Sequence, residues 1–146
     1  MKQWIESLDG RRALLAGLTA LAAGGLVMLR IFDPATSGVF PPCPLHFFTG
    51  LYCPGCGSLR ALHALMHGNL QLAWAMNPLT ILFLPYLIYG LTSEAVRLWC
   101  GCGLPQPMLS PALIRVVFAL IVLFGILRNI PAYPMNLLAP GAMLGL

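Results

Sequence analysis

The sequence predicts an all-α integral membrane protein, one membrane domain over residues 1–146, with three transmembrane helices and one helix along the interface. Three observations carry this. Of 146 residues, 59% are hydrophobic and only 8% charged, against roughly 25% charged in a typical soluble domain, so the chain cannot cover a water-facing surface. The apolar residues gather into runs long enough to cross a hydrocarbon core of about 30 Å. Proline- and glycine-rich breaks with helix-start signals separate those runs.

The first span covers about 13–32. A charged head with Lys2, Glu6, Asp9, Arg11 and Arg12 precedes the apolar stretch from Ala13 to Phe32. Its length, and the lack of an A-x-A-like site after it, argue against a cleavable signal peptide. Ala16, Ala20 and Gly24 recur every four residues, a small-residue stripe that would let a partner helix or a second copy approach closely in lipid. Ala and Gly are also simply common in such helices.

From Asp33 to Tyr52 the chain is a loop, because Pro34, Pro41, Pro42 and Pro44 exclude a continuous helix. Phe40, Phe47, Phe48 and Tyr52 suit the membrane–water boundary. An interfacial amphipathic helix follows at about 57–68. Leu59, Leu62 and Met66 share one face, while Cys56, Arg60, His63 and His67, at steps of four, three and four, fall on another. Gly68-Asn69 is its stop signal. The short segment Leu70 to Met76 leads to Asn77-Pro78, an N-cap followed by proline at the first helical position.

The second span covers about 78–99, with Pro85 expected to bend it. Glu94 and Arg97 can pair near its end, and Trp99 with Gly101-Cys102-Gly103 closes it. Ser110-Pro111 repeats the start signal, and the third span covers about 111–128, ended by Arg128. A proline-rich apolar tail follows, and the chain has no internal repeat.

Counting the basic residues sets the orientation. With the N-terminus in the cytoplasm, Lys2, Arg11, Arg12, Arg97 and Arg115 lie inside and Arg30, Arg60 and Arg128 outside, five against three. A fourth span through 57–76 would level that split and put Arg60, His63, His67, Asn69 and Gln71 into lipid, which is costly. The Cys43–Arg60 region is therefore expected on the outer face, with Cys100 and Cys102 near the cytoplasm. A net charge of +4 from eight basic residues is too sparse for a nucleic-acid surface.

The specific chemistry is concentrated between Cys43 and Asn77. Cys53-Pro54-Gly55-Cys56-Gly57 holds two thiols three residues apart, and Cys43-Pro44 adds a third ten residues upstream. Together with Thr49-Gly50, Arg60-Ala61, Gly68-Asn69 and Asn77-Pro78, this stretch resembles domain-of-unknown-function family 2752. Its pattern is roughly C-P…T-G-x-x-C-P-G-C-G-x-T-R-A…G-[DN]…N-P. The similarity covers about 43–80 as a Cys-rich core motif. Leu59 stands where the family's usual Thr is found, which weakens any role for a hydroxyl beside the arginine. The resemblance implies a small multi-span protein of the bacterial inner membrane and brings no activity with it.

Three readings of the thiols stay open. The first is a structural clamp: a disulfide from Cys43 to Cys53 or Cys56 pins the loop to the helix start on the oxidising outer face. The protein is then a scaffold or accessory subunit touching lipid or a membrane-protein partner. The second is a zinc or iron site, in which Cys53 and Cys56 form a knuckle, Cys43 is a third ligand, and His46, His63 or His67 is the fourth. The third is thiol–disulfide exchange with Cys53 and Cys56 as the catalytic pair, although the strands of a thioredoxin-like unit are missing. Arg60 and Arg128 are candidate contacts for an anionic headgroup, or simply snorkel to water. With four acidic residues and neither a Ser-His-Asp set nor a phosphate loop, the balance leans away from an enzyme.

Overall fold

The computed structural model describes residues 2–100, 105 and 110–145, and the side chains of all these except 2–9, 11 and 98. Every regular element among them is helical. In chain order they are α1 (Lys2–Ile31), α2 (Pro44–Thr49), α3 (Ser58–Met66), α4 (Leu70–Met76), α5 (Pro78–Cys100) and α6 (Pro111–Leu127), followed by two 3-10 turns at Met135–Leu138 and Ala142–Leu144.

Two helices are long and apolar enough to cross a membrane: α1 over Arg12–Ile31 and α5 over Pro78–Arg97, 20 residues each. The 17 residues of α6 rise about 26 Å at 1.5 Å per residue, a little less than the core they would have to cross. The charged head is not separate from the first span. Helix α1 starts at Lys2, because residues 2–12 contain no proline and a single glycine costs only about 1 kcal/mol in a helix.

Local caps explain the other starts. Ser110 accepts a bond from the N–H of Leu113 at 3.2 Å, and Asn69 accepts from Leu72 at 2.9 Å. Helix α3 ends at Gly68, whose φ of 75° lets the N–H of Asn69 reach back to the carbonyl of Ala64 at 2.9 Å, the six-to-one bond of a Schellman stop. Pro85 sits inside α5 without ending it.

The chain forms two compact units, Met1–Met28 with Pro85–Pro107, and Leu29–Leu84 with Met108–Leu146. In the first, α1 and the later part of α5 carry exposed aliphatic side chains such as Leu21, Leu87 and Leu91. Glu94 and Arg97 pair there at 2.7 Å. Gly101, Cys102 and Gly103, expected to close α5, lie outside the described residues. The second unit contains the Cys-rich stretch. Its centre is the α3–α4 pair, where Ala61 and Ala73 are fully buried and Ala64 nearly so. Small side chains let these short helices approach closely. The tail returns to α4, with the N–H of Gly141 bonded to the carbonyl of Ala75 at 3.1 Å.

Candidate three-thiol metal site

Cys43 stands at the end of the proline-rich loop as the N-cap residue of α2, with Pro44 at the first helical position. Cys53 to Gly57 forms a tight turn. The N–H of Cys56 donates to the carbonyl of Cys53 at 3.0 Å, and that of Ser58 to Gly55 at 3.0 Å. Gly57 leaves the turn with φ of 84°, where glycine carries no steric penalty. A Cβ there would also lie 2.6 Å from the carbonyl oxygen of Met76, so the position is closed to other residues on two counts.

This turn folds both its sulfurs toward Cys43. The Cys53 and Cys56 sulfurs are 3.3 Å apart, those of Cys43 and Cys53 are 3.5 Å apart, and all three lie within 4.8 Å of one another. No pair is joined as a disulfide. A metal–sulfur bond of about 2.3 Å gives a tetrahedron with edges of about 3.8 Å, so these spacings suit three ligands on one ion. The backbone N–H of Cys53 also donates to the sulfur of Cys56 at 3.2 Å.

Three side chains from elsewhere hold the turn. Asn77, fully buried, donates its amide to the carbonyls of Pro54 at 3.0 Å and Cys56 at 3.2 Å and to the Ser58 hydroxyl at 3.1 Å. Its oxygen caps α5 by accepting from Thr80 at 3.2 Å. Asn129 accepts from the N–H of Tyr52 at 2.7 Å and donates to the same residue's carbonyl at 2.8 Å. Arg128 donates from Nη1 to the carbonyls of Cys53 at 3.0 Å and Pro54 at 3.2 Å. Helix α6 comes so close that a Cβ on Gly125 would lie 2.8 Å from the Pro54 ring.

The thiols differ in acidity. Burial, reinforced by contact with Cys53 and Cys43, pushes the Cys56 thiol up to about 12. The Cys43 thiol is held below the ordinary range, chiefly by the backbone N–H of His46. A cleft of roughly 460 Å³ opens beside them, walled by the proline loop, Cys43, His46, Tyr52, Cys56 and Arg60. The His46 ring stacks on Tyr52 at 4.5 Å, and its Nδ1 lies 3.1 Å from the Gly50 carbonyl.

The other predicted residues are distributed differently. His63 and His67 do not join the cluster: Nδ1 of His63 bonds the Leu29 carbonyl at 2.5 Å, and the two rings face each other at 4.3 Å. The expected shared face with Cys56 fails because α3 begins only at Ser58, and the left-handed Gly57 breaks the helical period between them. Arg60 is exposed at the cleft wall. Arg128, expected at a headgroup, is instead 1% exposed. Leu59, at the position that departs from the motif, is 41% exposed. Asn129 and Gly125 escaped the sequence reading, whose only hint was the polar Arg128-Asn129 pair after an apolar helix, and Tyr52 was read only as a boundary aromatic.

These features define a class: a small helical protein with two membrane-length helices and a cluster of three thiols braced by two amides and a buried guanidinium. Residues 43–91 match the family described as protein of unknown function (DUF2752), which bears out the resemblance carried by the motif residues. The matched stretch runs from Cys43 through α2, α3 and α4 into α5 and includes all three thiols. Neither the curated proteins nor the solved structures give a match.

Proposed function

We propose that this protein is a metal-binding module of the bacterial inner membrane, with α1, α5 and α6 as three spans and the N-terminus in the cytoplasm. At its outer face Cys43, Cys53 and Cys56 hold one zinc- or iron-class ion. The observation that carries this reading is the convergence of three sulfurs at ligand spacing. We infer His46 as the fourth ligand, brought in by a side-chain movement, since its ring nitrogens lie outside the three-sulfur group. It lines the same cleft, and with Nδ1 engaged on a backbone carbonyl its Nε2 is the nitrogen left for a metal, the usual arrangement of a ligating histidine.

Asn77, Arg128 and Asn129 fasten five backbone groups of residues 52–56, so the turn that carries Cys53 and Cys56 is held without help from its thiols. Exposed Phe47 and Phe48 on α2 support contact between this region and the headgroup layer. A scaffold or accessory role in the membrane is compatible with such a module.

The test is purification in mild detergent, followed by measurement of bound metal and the alkylation state of each cysteine. We expect one ion per chain and three thiols protected until a chelator is added. Metal-free protein whose three thiols alkylate freely refutes the reading. The 3.3 Å approach of Cys53 to Cys56 also suits disulfide exchange. In that case the pair alkylates only after reduction, and no metal co-purifies.

A further inference from the structure

Arg128 bears on which ion the cluster takes. Its side chain is 1% exposed, and although Nη1 bonds two carbonyls, Nε and Nη2 have no partner among the described residues. A guanidinium does not shed its charge in a protein, and a buried charge without a counter-charge is strongly disfavoured. The rings of Phe124 and Tyr52, at 4.9 and 5.8 Å, attract it but carry no net charge. The described carboxylates are engaged elsewhere: Asp33 with Ala35 and Thr36, Glu94 with Arg97.

The groups near Arg128 that can become negative are the thiols of Cys53 and Cys56, on the turn whose carbonyls Nη1 bonds, and the phenol of Tyr52; metal binding ionises only the thiols. Three thiolates on a divalent ion leave one net negative charge, which Arg128 cancels. On a monovalent ion they leave two, one of them without a counter-charge. Three neutral thiols, or a disulfide with one thiol, leave the guanidinium alone.

We propose that Arg128 is the built-in counter-charge of a three-thiolate site and makes that site selective for a divalent ion with a neutral fourth ligand. This rests on the metal-binding reading above. Binding forms three metal–sulfur bonds and releases three thiol protons to solvent, with no electron transferred. Arg128 touches no ligand atom of the ion. It is a positioning and specificity residue.

The test uses the full chain in mild detergent with Co²⁺ as probe, read by its sulfur charge-transfer band in competition with a chelator. Arg128→Met and Arg128→Gln are expected to weaken Co²⁺ binding about 10- to 100-fold, the usual effect of an outer-shell partner, and Arg128→Lys to recover most of it. Gln keeps a donor for the Cys53 and Pro54 carbonyls but has no charge, so it separates charge from bracing. Native mass spectrometry of the loaded wild type should show three protons displaced per ion. Wild type that takes up no Co²⁺ overturns the metal reading and this one with it. Wild type that binds while Arg128→Gln binds as tightly overturns the counter-charge alone. So do two displaced protons instead of three, and that count decides even where neither neutral variant folds.

Discussion

Asn77 is fully buried, shares its two amide hydrogens among three acceptors and accepts one bond. Asn77→Ala removes the α5 cap, worth about 1 kcal/mol. It leaves the Cys56 carbonyl buried without its amide, a cost of about 1–3 kcal/mol, and opens a small cavity for about 1 kcal/mol more. Pro54 keeps its bond from Arg128 and Ser58 its partner Thr80 at 2.7 Å, so those losses count for little. The sum is about 3–5 kcal/mol. Asn77→Asp keeps the cap oxygen but turns a second oxygen against the carbonyls of Pro54 and Cys56, so its cost should be at least as large. The assay is the alkylation rate of Cys56 in metal-free protein, because that thiol is only 8% exposed and reacts through local opening. A 3 kcal/mol loss should raise the rate about a hundredfold, at 1.4 kcal/mol per decade. An Asn77→Asp variant that alkylates like wild type would falsify this account, since it would reduce Asn77 to a helix cap.

Gly57→Ala meets both a left-handed backbone and the Met76 carbonyl, and Gly125→Ala meets the Pro54 ring. Each should lower the unfolding midpoint in detergent, with a stability loss of about 2 kcal/mol or more for Gly57→Ala and about 1–3 kcal/mol for Gly125→Ala. His63→Ala and His67→Ala should retain full metal stoichiometry by elemental analysis, whereas serine at Cys43, Cys53 or Cys56 should lose it. In chelated protein Cys43 should react with iodoacetamide before Cys56, as peptide mapping would show. Folded Cys56 keeps its proton up to about 12, where an ordinary thiol sits at 9.0. Its contribution to metal-free stability is thus complete below pH 9 and is lost as pH rises from 9 toward 12, visible as a falling unfolding midpoint.

Features encoded within a few residues were legible in the sequence. Asn77-Pro78 and Ser110-Pro111 start helices where local capping says they should, and Gly68-Asn69 stops one. The Cys53–Cys56 spacing, with Pro54 and Gly55 between, marked the tight turn. His63 and His67 were misplaced because a period of 3.6 was carried across Gly57, whose φ no periodicity records. Arg128 looked like a surface charge because its place after an apolar run is also where snorkelling residues stand. The bracing by Asn129 was invisible because Tyr52 is 77 positions away, and no local pattern links an amide to a distant backbone.

The end of α6 has a consequence for which changes in chain length the protein tolerates. Gly125 admits the Pro54 ring, Arg128 takes the carbonyls of Cys53 and Pro54, and Asn129 takes both polar groups of Tyr52. These residues form one template, Gly-x-x-Arg-Asn, read against three consecutive loop residues. Lengthening α6 ahead of Gly125 slides mostly exposed apolar side chains. One residue inserted between Gly125 and Arg128 turns the helix by about 100° and advances it 1.5 Å, which aims the guanidinium and the amide away from the turn together. The tolerance of α6 to insertion should therefore end abruptly at Gly125.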